Sequence, residues 1–223
     1  MNNFIEAIKL ASFPIHKEGY KFIFIFAFAT IILALLSDTL GLIGLVATIW
    51  CVFFFRDPVR VVPNIENVVV SPADGVVTKI DYNVSAPSEI SLKGKKFIKI
   101  SVFLNVFNVH VNRVPAAGTI EKVVYVPGKF LSANMEEAGE ENERNIAHLK
   151  TNNKKDIIFS QVAGLVARRI VSDLQDNQKV NTGDKYGIIR FGSRMDIYLP
   201  KDTKIISQVG QTMIGGETII ANL

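Results

Sequence analysis

Two uncharged apolar runs close to the amino terminus, Phe22 to Leu36 and Leu42 to Phe55, constrain this chain more than any other feature. The break Ser37-Asp38-Thr39-Leu40-Gly41 separates them. At ~1.5 Å rise per residue the first run makes about 22 Å of helix, which is short of a ~30 Å hydrocarbon layer. A helical hairpin that dips into one leaflet, or only just crosses, satisfies both lengths. Lys9, Lys17 and Lys21 precede the first run and Arg56 and Arg60 follow the second, so the positive-inside tendency puts both ends at the cytoplasmic face of a cell membrane. Phe22, Phe24, Phe26, Phe28 and later Phe53-Phe54-Phe55 make the runs apolar all round, not along one stripe. Buried core helices of a soluble fold are the other reading of runs this short. The segment before them, with Phe4, Ile5, Ile8, Leu10 and Phe13 among Lys9 and Lys17, reads as an amphipathic stretch lying along the interface.

Composition narrows the classes. A chain of 223 residues that is 48% hydrophobic suits one compact domain with a small addition. The net charge of +4 is mild, and no dense Lys/Arg run with interleaved aromatics is present, so nucleic acid is not expected as a partner. Cys51 is the only cysteine and lies inside the second apolar run, which excludes an internal disulfide or a cysteine-built zinc site and fits a reducing compartment. With His16, His110 and His148 as the only histidines, no histidine-rich metal site is expected.

After Pro58 the texture changes to short Val/Ile-rich runs separated by Gly, Pro, Asn and Asp. Strands are expected at Asn67 to Val70, Gly75 to Ile80, Phe97 to Leu104, Gly118 to Val126, Asp156 to Ala163 and Asp196 to Leu199. The predicted fold is mainly β, a sandwich- or barrel-like domain over residues 58–223 behind an apolar helical hairpin over residues 1–57. The acidic stretch Leu131 to Arg144 reads as a solvated loop or a short helix, with loop preferred and its carboxylates on a solvated face, and Gln161 to Val171 permits helix or strand.

The peptide with the most chemistry is Arg190-Phe191-Gly192-Ser193-Arg194. Alone, a Gly-Ser pair within a β hairpin is ordinary turn chemistry. Yet the Ser193 hydroxyl can attack the accessible Gly192 carbonyl and turn the peptide bond into an ester. Elimination then cuts the chain, and loss of ammonia from the resulting dehydroalanine leaves a pyruvoyl group. That ketone can form a Schiff base with a substrate amine and act as an electron sink for decarboxylation. A base must take the serine proton and an acid must return one to the product. Asp74, at the turn Ser71-Pro72-Ala73-Asp74-Gly75, and His110, in the strand-like run Phe107 to Pro115, are candidates. Singly, each also has a structural reading, as turn residue and as hydrogen-bonded histidine.

Taken in order, these peptides resemble the phosphatidylserine decarboxylase family, in particular its short bacterial and archaeal type. The resemblance runs through Phe54-Phe55-Arg56-Asp57-Pro58, Ser71 to Gly75, Asn108-Val109-His110-Val111-Asn112-Arg113, Glu141-Asn142-Glu143-Arg144-Asn145, Ala163 to Ile170 and Gly187 to Arg194. It implies a cut between Gly192 and Ser193, giving a β chain of residues 1–192 and an α chain of 193–223 that stay together. It further implies a covalent pyruvoyl cofactor derived from Ser193 and conversion of membrane phosphatidylserine to phosphatidylethanolamine. Longer family members carry two histidines three apart, and the second is implicated with an aspartate in self-cleavage. Here His110 keeps the first position and Arg113 takes the second, so His110 is expected as the proton donor in decarboxylation while the base that activates Ser193 is left open. Arg113, Arg168 and Arg169 are candidates for lipid phosphate, with surface charge as the alternative. Homo-oligomerisation is left open too. The competing reading is a non-enzymatic, membrane-tethered adaptor or carrier-like β domain, which predicts an uncut chain; a pyruvoyl enzyme for a soluble amino acid would leave the hairpin without a purpose.

Overall fold

The computed structural model describes residues 13–133, 138–165, 169–190 and 192–223. The chain divides into two compact units, residues 1–59 and 60–223.

The first unit is a helical hairpin, α1 (Gly19–Leu36) and α2 (Asp38–Phe54). Ser37 adopts an extended conformation between them, and its N–H still bonds the Leu33 carbonyl. The helices are 18 and 17 residues long, about 27 and 26 Å at ~1.5 Å per residue, because helix continues past the uncharged runs. They approach closely where Gly44 lies against Thr30; a Cβ on Gly44 would meet the Thr30 hydroxyl oxygen at 2.9 Å. Thr30 and Thr48 bond each other at 2.8 Å, and each also donates back to its own helix, to Phe26 O and Gly44 O. The hydroxyls of Thr30 and Thr48 are thereby satisfied inside the hairpin. Phe24, Phe28, Leu35, Leu36, Leu42 and Val46 are exposed, so the outer faces of the hairpin are apolar. By length and composition α1 is able to cross a membrane, which is compatible with membrane association. The amphipathic stretch expected from Phe4 onward lies in residues 1–12, outside the described residues.

The second unit is β. Its main sheet has eight antiparallel strands in the order β13-β2-β3-β11-β7-β6-β5-β9. These are β13 (Thr212–Met213), β2 (Gly75–Ser85), β3 (Lys96–Leu104), β11 (Ser193–Pro200), β7 (Asp156–Ala163), β6 (Arg144–Thr151), β5 (Gly118–Val126) and β9 (Lys179–Val180). Two three-stranded sheets complete it. One is β1 (Val68–Val70), β14 (Ile219–Asn222) and β12 (Lys204–Ile205); the other is β4 (Val111–Arg113), β10 (Lys185–Ile189) and β8 (Ile170–Ser172). The mainly β fold with an apolar helix pair is as the sequence implied.

Side chains alternate across strands, and on β11 Met195, Ile197 and Leu199 enter the core. There they meet Ile100, Val102 and Leu104 of β3, Ile157 and Phe159 of β7, and Val69, Ile189 and Ile220 from the small sheets. The large sheet thus curls around both small ones.

Three local expectations are corrected and one open choice is decided. Gly192-Ser193 is not in a hairpin: β10 and β11 belong to different sheets, and the connection crosses between them. His110 precedes β4 and sits in a turn-containing loop, because Asn105 and Asn108 cap the backbone of residues 105–108 and end β3. Among the described residues the acidic stretch holds one helical turn, α3 (Ala138–Glu141), the alternative to the preferred loop, and its carboxylates are not all solvated: Glu143 is buried, accepting from the Ile170 N–H at 3.1 Å. The Gln161 to Val171 stretch is strand at each end, in β7 and β8.

Candidate active site

The main sheet brings the predicted residues to one end. β3 and β7 both run antiparallel to β11, so Leu104 and Ala163, their last residues, pair with Ser193, the first residue of β11. Ser193 shares the face of Met195 and Ile197 and is fully buried. Its Oγ has no hydrogen-bond partner among the described residues. A buried hydroxyl in that state costs about 1–3 kcal/mol; Ser160, Thr203 and Ser207 share it, and Ser193 differs from them in the glycine that precedes it. Just before it, Gly192 holds φ of 64°, in the left-handed region, and a Cβ there would meet nothing within 4 Å. Behind its carbonyl stands Gly164: a Cβ on Gly164 would come to 2.4 Å from Gly192 O and 3.1 Å from Gly192 C. The Gly192 carbonyl is therefore backed by Gly164, and the space beside the Gly192 Cα is open.

His110 flanks the same segment. Its carbonyl accepts the Ile189 N–H at 3.4 Å, and Val111 pairs with Ile188. The imidazole is fully buried, with Nδ1 3.0 Å from the Asn108 carbonyl oxygen. A carbonyl only accepts, so Nδ1 carries the hydrogen and the lone pair of the neutral ring lies on Nε2.

Asp74 stands just beyond the same sheet end, ahead of β2. Val76 and Arg194 pair with the two sides of Phe103, which puts β2 two strand spacings, roughly 10 Å, from β11. The Asp74 carboxylate is engaged by Arg60, whose Nη2 donates to both oxygens at 2.9 and 2.7 Å, and by the Gly215 N–H at 2.8 Å. Arg113 lies next to this turn: its N–H donates to Pro72 O and its Nη1 to Gly183 O at 2.9 Å. Arg169 is exposed, and Arg168 lies outside the described residues.

Several site residues escaped the sequence reading. On the inner face of β7, two residues from Ala163, Gln161 accepts from Asn145 at 3.2 Å and donates to the Asn112 Oδ1 at 2.9 Å. Gln161 Nε2 also faces the Val171 carbonyl at 3.4 Å, which fixes the amide's orientation. Asn112 must then turn its Nδ2 away, a buried donor with no partner among the described residues. Asn142 ties Leu131 to Ala163, donating to both carbonyls at 2.8 and 2.7 Å and accepting from the Leu131 N–H. On the outward face of β11, Arg194 and Asp196 form a buried pair (Nε to Oδ1, 2.9 Å), joined by Ser101 at 2.6 Å. Asn112, Asn142, Asn145 and Arg194 lie inside the family-like peptides, their only signal in the sequence, whereas Gln161, Ser101 and Asp196 lie outside them.

A family model described as phosphatidylserine decarboxylase matches residues 47–221. Proteins from Rickettsia typhi, Rickettsia prowazekii and Rickettsia akari, each named phosphatidylserine decarboxylase proenzyme, are 50% identical to this chain over 208 residues, covering 93% of it and 90% of each relative. The class is therefore a decarboxylase of the kind named as a proenzyme. The chain belongs to the phosphatidylserine decarboxylase family.

Proposed function

We propose that the chain cuts itself between Gly192 and Ser193 and then decarboxylates phosphatidylserine to phosphatidylethanolamine at the cytoplasmic face of the membrane, with the α1–α2 hairpin as its anchor. The observation that carries this reading is the buried, unpartnered Ser193 Oγ beside a left-handed Gly192 whose carbonyl is backed by Gly164.

In the cut, Ser193 Oγ attacks the Gly192 carbonyl carbon, its proton passes to a base, and the C–N bond breaks as the nitrogen is protonated, leaving an ester. A base then removes the Ser193 Cα proton and the ester Cβ–O bond breaks. Gly192 departs as a carboxylate, and residue 193 becomes a dehydroalanine with a free amine. Tautomerisation to the imine and attack by water release ammonia and leave a ketone at the head of the 193–223 chain. The residues fit such a group: Ser193 is buried with its Oγ unpartnered among the described residues, it is held by strands on both sides, and the His110 carbonyl bonds Ile189 just upstream. When formed, the pyruvoyl group supplies the electron sink for loss of carbon dioxide. His110, with Nδ1 fixed by Asn108, moves a proton at Nε2. The carboxylate of Asp74 is held by Arg60 and positions the neighbouring turn. The apolar hairpin keeps the enzyme where the substrate's acyl chains reside.

Intact mass spectrometry of the purified chain beside Ser193→Ala tests this. Two fragments are expected, the smaller starting at residue 193 with a pyruvoyl mass and no free amine, and conversion of phosphatidylserine with release of carbon dioxide. A folded wild-type chain that stays whole overturns the reading in favour of a tethered, non-enzymatic β domain.

A further inference from the structure

The antiparallel pairing sends several connections to the Ser193 end of the main sheet. They follow β3, β5 and β7 and precede β2, β6 and β11. Large apolar side chains are exposed on four of them or beside them. Phe107, after β3, is 62% exposed; Leu165, after β7 and next to Gly164, 68%; Phe130, after β5, 37%; and Ile214, after β13 beside the Asp74 turn, 40%. The hairpin turns at the opposite end are of another kind: Lys93-Gly94-Lys95, Asn152-Asn153-Lys154 and Lys201-Asp202, all exposed and polar. Exposed apolar side chains also occur elsewhere on this unit, Ile65 beside Asn152 and Asn153 and Ile206 among them, and singly they are ordinary; four on the connections around one end mark an interaction surface.

We propose that this rim, Phe107, Phe130, Leu165 and Ile214, dips into the lipid interface and sets the Ser193 end of the sheet against the bilayer. This rests on the reading of a phospholipid substrate under Proposed function. The occupant follows from position: the apolar tips surround the one end where the reacting bond lies, and an acyl-chain substrate reaches a buried serine without leaving the membrane only if that end meets the lipid. Apolar tips beside an exposed cation, Arg169, are the chemistry of a headgroup boundary. A protein partner, or a second copy, is the alternative occupant.

The test places a reporter at each end. Full-length chain carrying Trp50→Phe, to remove the native tryptophan, and one of Phe107→Trp, Leu165→Trp or Asn153→Trp is reconstituted into phosphatidylethanolamine/phosphatidylglycerol vesicles with and without acyl-brominated lipid. Quenching and a blue-shifted emission are expected at positions 107 and 165, and neither at 153. Unquenched, water-like emission at 107 and 165 in vesicles overturns the inference, as does equal quenching at all three positions. Blue-shifted emission at 107 and 165 without quenching points to a protein partner or second copy and overturns it as well. Fragment masses and carbon dioxide release from the same samples keep the two claims apart. A cut, active enzyme with unquenched rim tryptophans refutes only the rim; an uncut chain with quenched ones supports the rim and refutes the decarboxylase reading.

Discussion

Replacing Gly164 by alanine should slow self-cleavage without unfolding the protein. A Cβ at this position would sit 2.4 Å from Gly192 O and 3.1 Å from Gly192 C. Normal carbon–oxygen contact is more than half an ångström longer than the first value, and both atoms are main chain, so neither side can rotate away. The Gly192 carbonyl must move by a similar amount, away from the geometry in which Ser193 Oγ meets it. A displacement of about 1 Å at a reacting centre costs roughly 10²-fold in rate, while local overpacking costs about 1–3 kcal/mol of stability. Cleavage is best followed by gel densitometry after in vitro translation, because the wild-type chain would be cut before purification. Gly192→Ala is the informative contrast. Its Cβ meets nothing, so the penalty is the left-handed backbone alone, about 1–2 kcal/mol, and slowing should be milder than in Gly164→Ala. Once cut, the Gly164→Ala enzyme should decarboxylate near the wild-type rate, since the Gly192 carbonyl is then no longer in the chain to be attacked. Wild-type cleavage kinetics in Gly164→Ala would refute the assignment of Gly164 as the backing of the scissile carbonyl.

Other consequences are as direct. His110→Gln, in whatever fraction is cut, should lower kcat for decarboxylation by about 10²–10⁴, measured as released carbon dioxide per pyruvoyl chain; an unchanged kcat removes His110 from the chemistry. At the far end of β7, burial raises the Asp156 carboxyl pKa, but bonds from Lys150 (2.8 Å), Lys95 and His148 (3.0 Å) outweigh it and bring it to about 2. Its folded pKa lies below the unfolded value, so this stabilisation is present above ~pH 5 and is lost as pH falls from ~4 towards 2, roughly 1–2 kcal/mol. Asp156→Asn should therefore lower the midpoint of thermal unfolding at pH 7 and flatten its decline below pH 5, and a variant that keeps the wild-type acid slope would refute the assignment.

What could be read from the sequence was what is written locally. Runs such as Phe97 to Leu104 and Asp156 to Ala163 are strands because Val, Ile and Phe at close spacing bury both faces, and the all-round apolarity of Phe22 to Leu36 distinguishes α1 from an amphipathic helix. β6 was missed because Asn145, His148 and Lys150 interrupt its pattern. Those residues are satisfied across strands, Asn145 by Gln161 and the other two by Asp156, and no periodicity encodes that. Ser193, Gly192, His110 and Asp74 were legible through their peptides, whereas their neighbours were not. Arg60 reaches Asp74 across a fourteen-residue separation, and Gly164 matters only because Gly192 folds against it from another strand. Glu143 looked solvated in an acidic run, yet it is drawn inside by the Ile170 N–H.

The proposed cut also raises the question of why two unlinked fragments should stay one enzyme, and the strand order answers it. Residues 193–223 supply β11, β12, β13 and β14. β11 lies in the middle of the main sheet between β3 and β7, β13 pairs with β2, and β14 pairs with β1 in a separate sheet. The small fragment is thus threaded through both sheets, with Met195, Ile197, Leu199, Met213 and Ile220 in the shared core. The new terminus is held at its second residue, where Arg194 pairs with Asp196 and donates to the Ala133 carbonyl at 3.0 Å. On the other side of the cut, Gly192 follows a connection that crosses between sheets and has open space beside its Cα. Cutting there loosens the leaving side and leaves the reactive residue clamped between two strands, as a catalyst built from its own backbone requires.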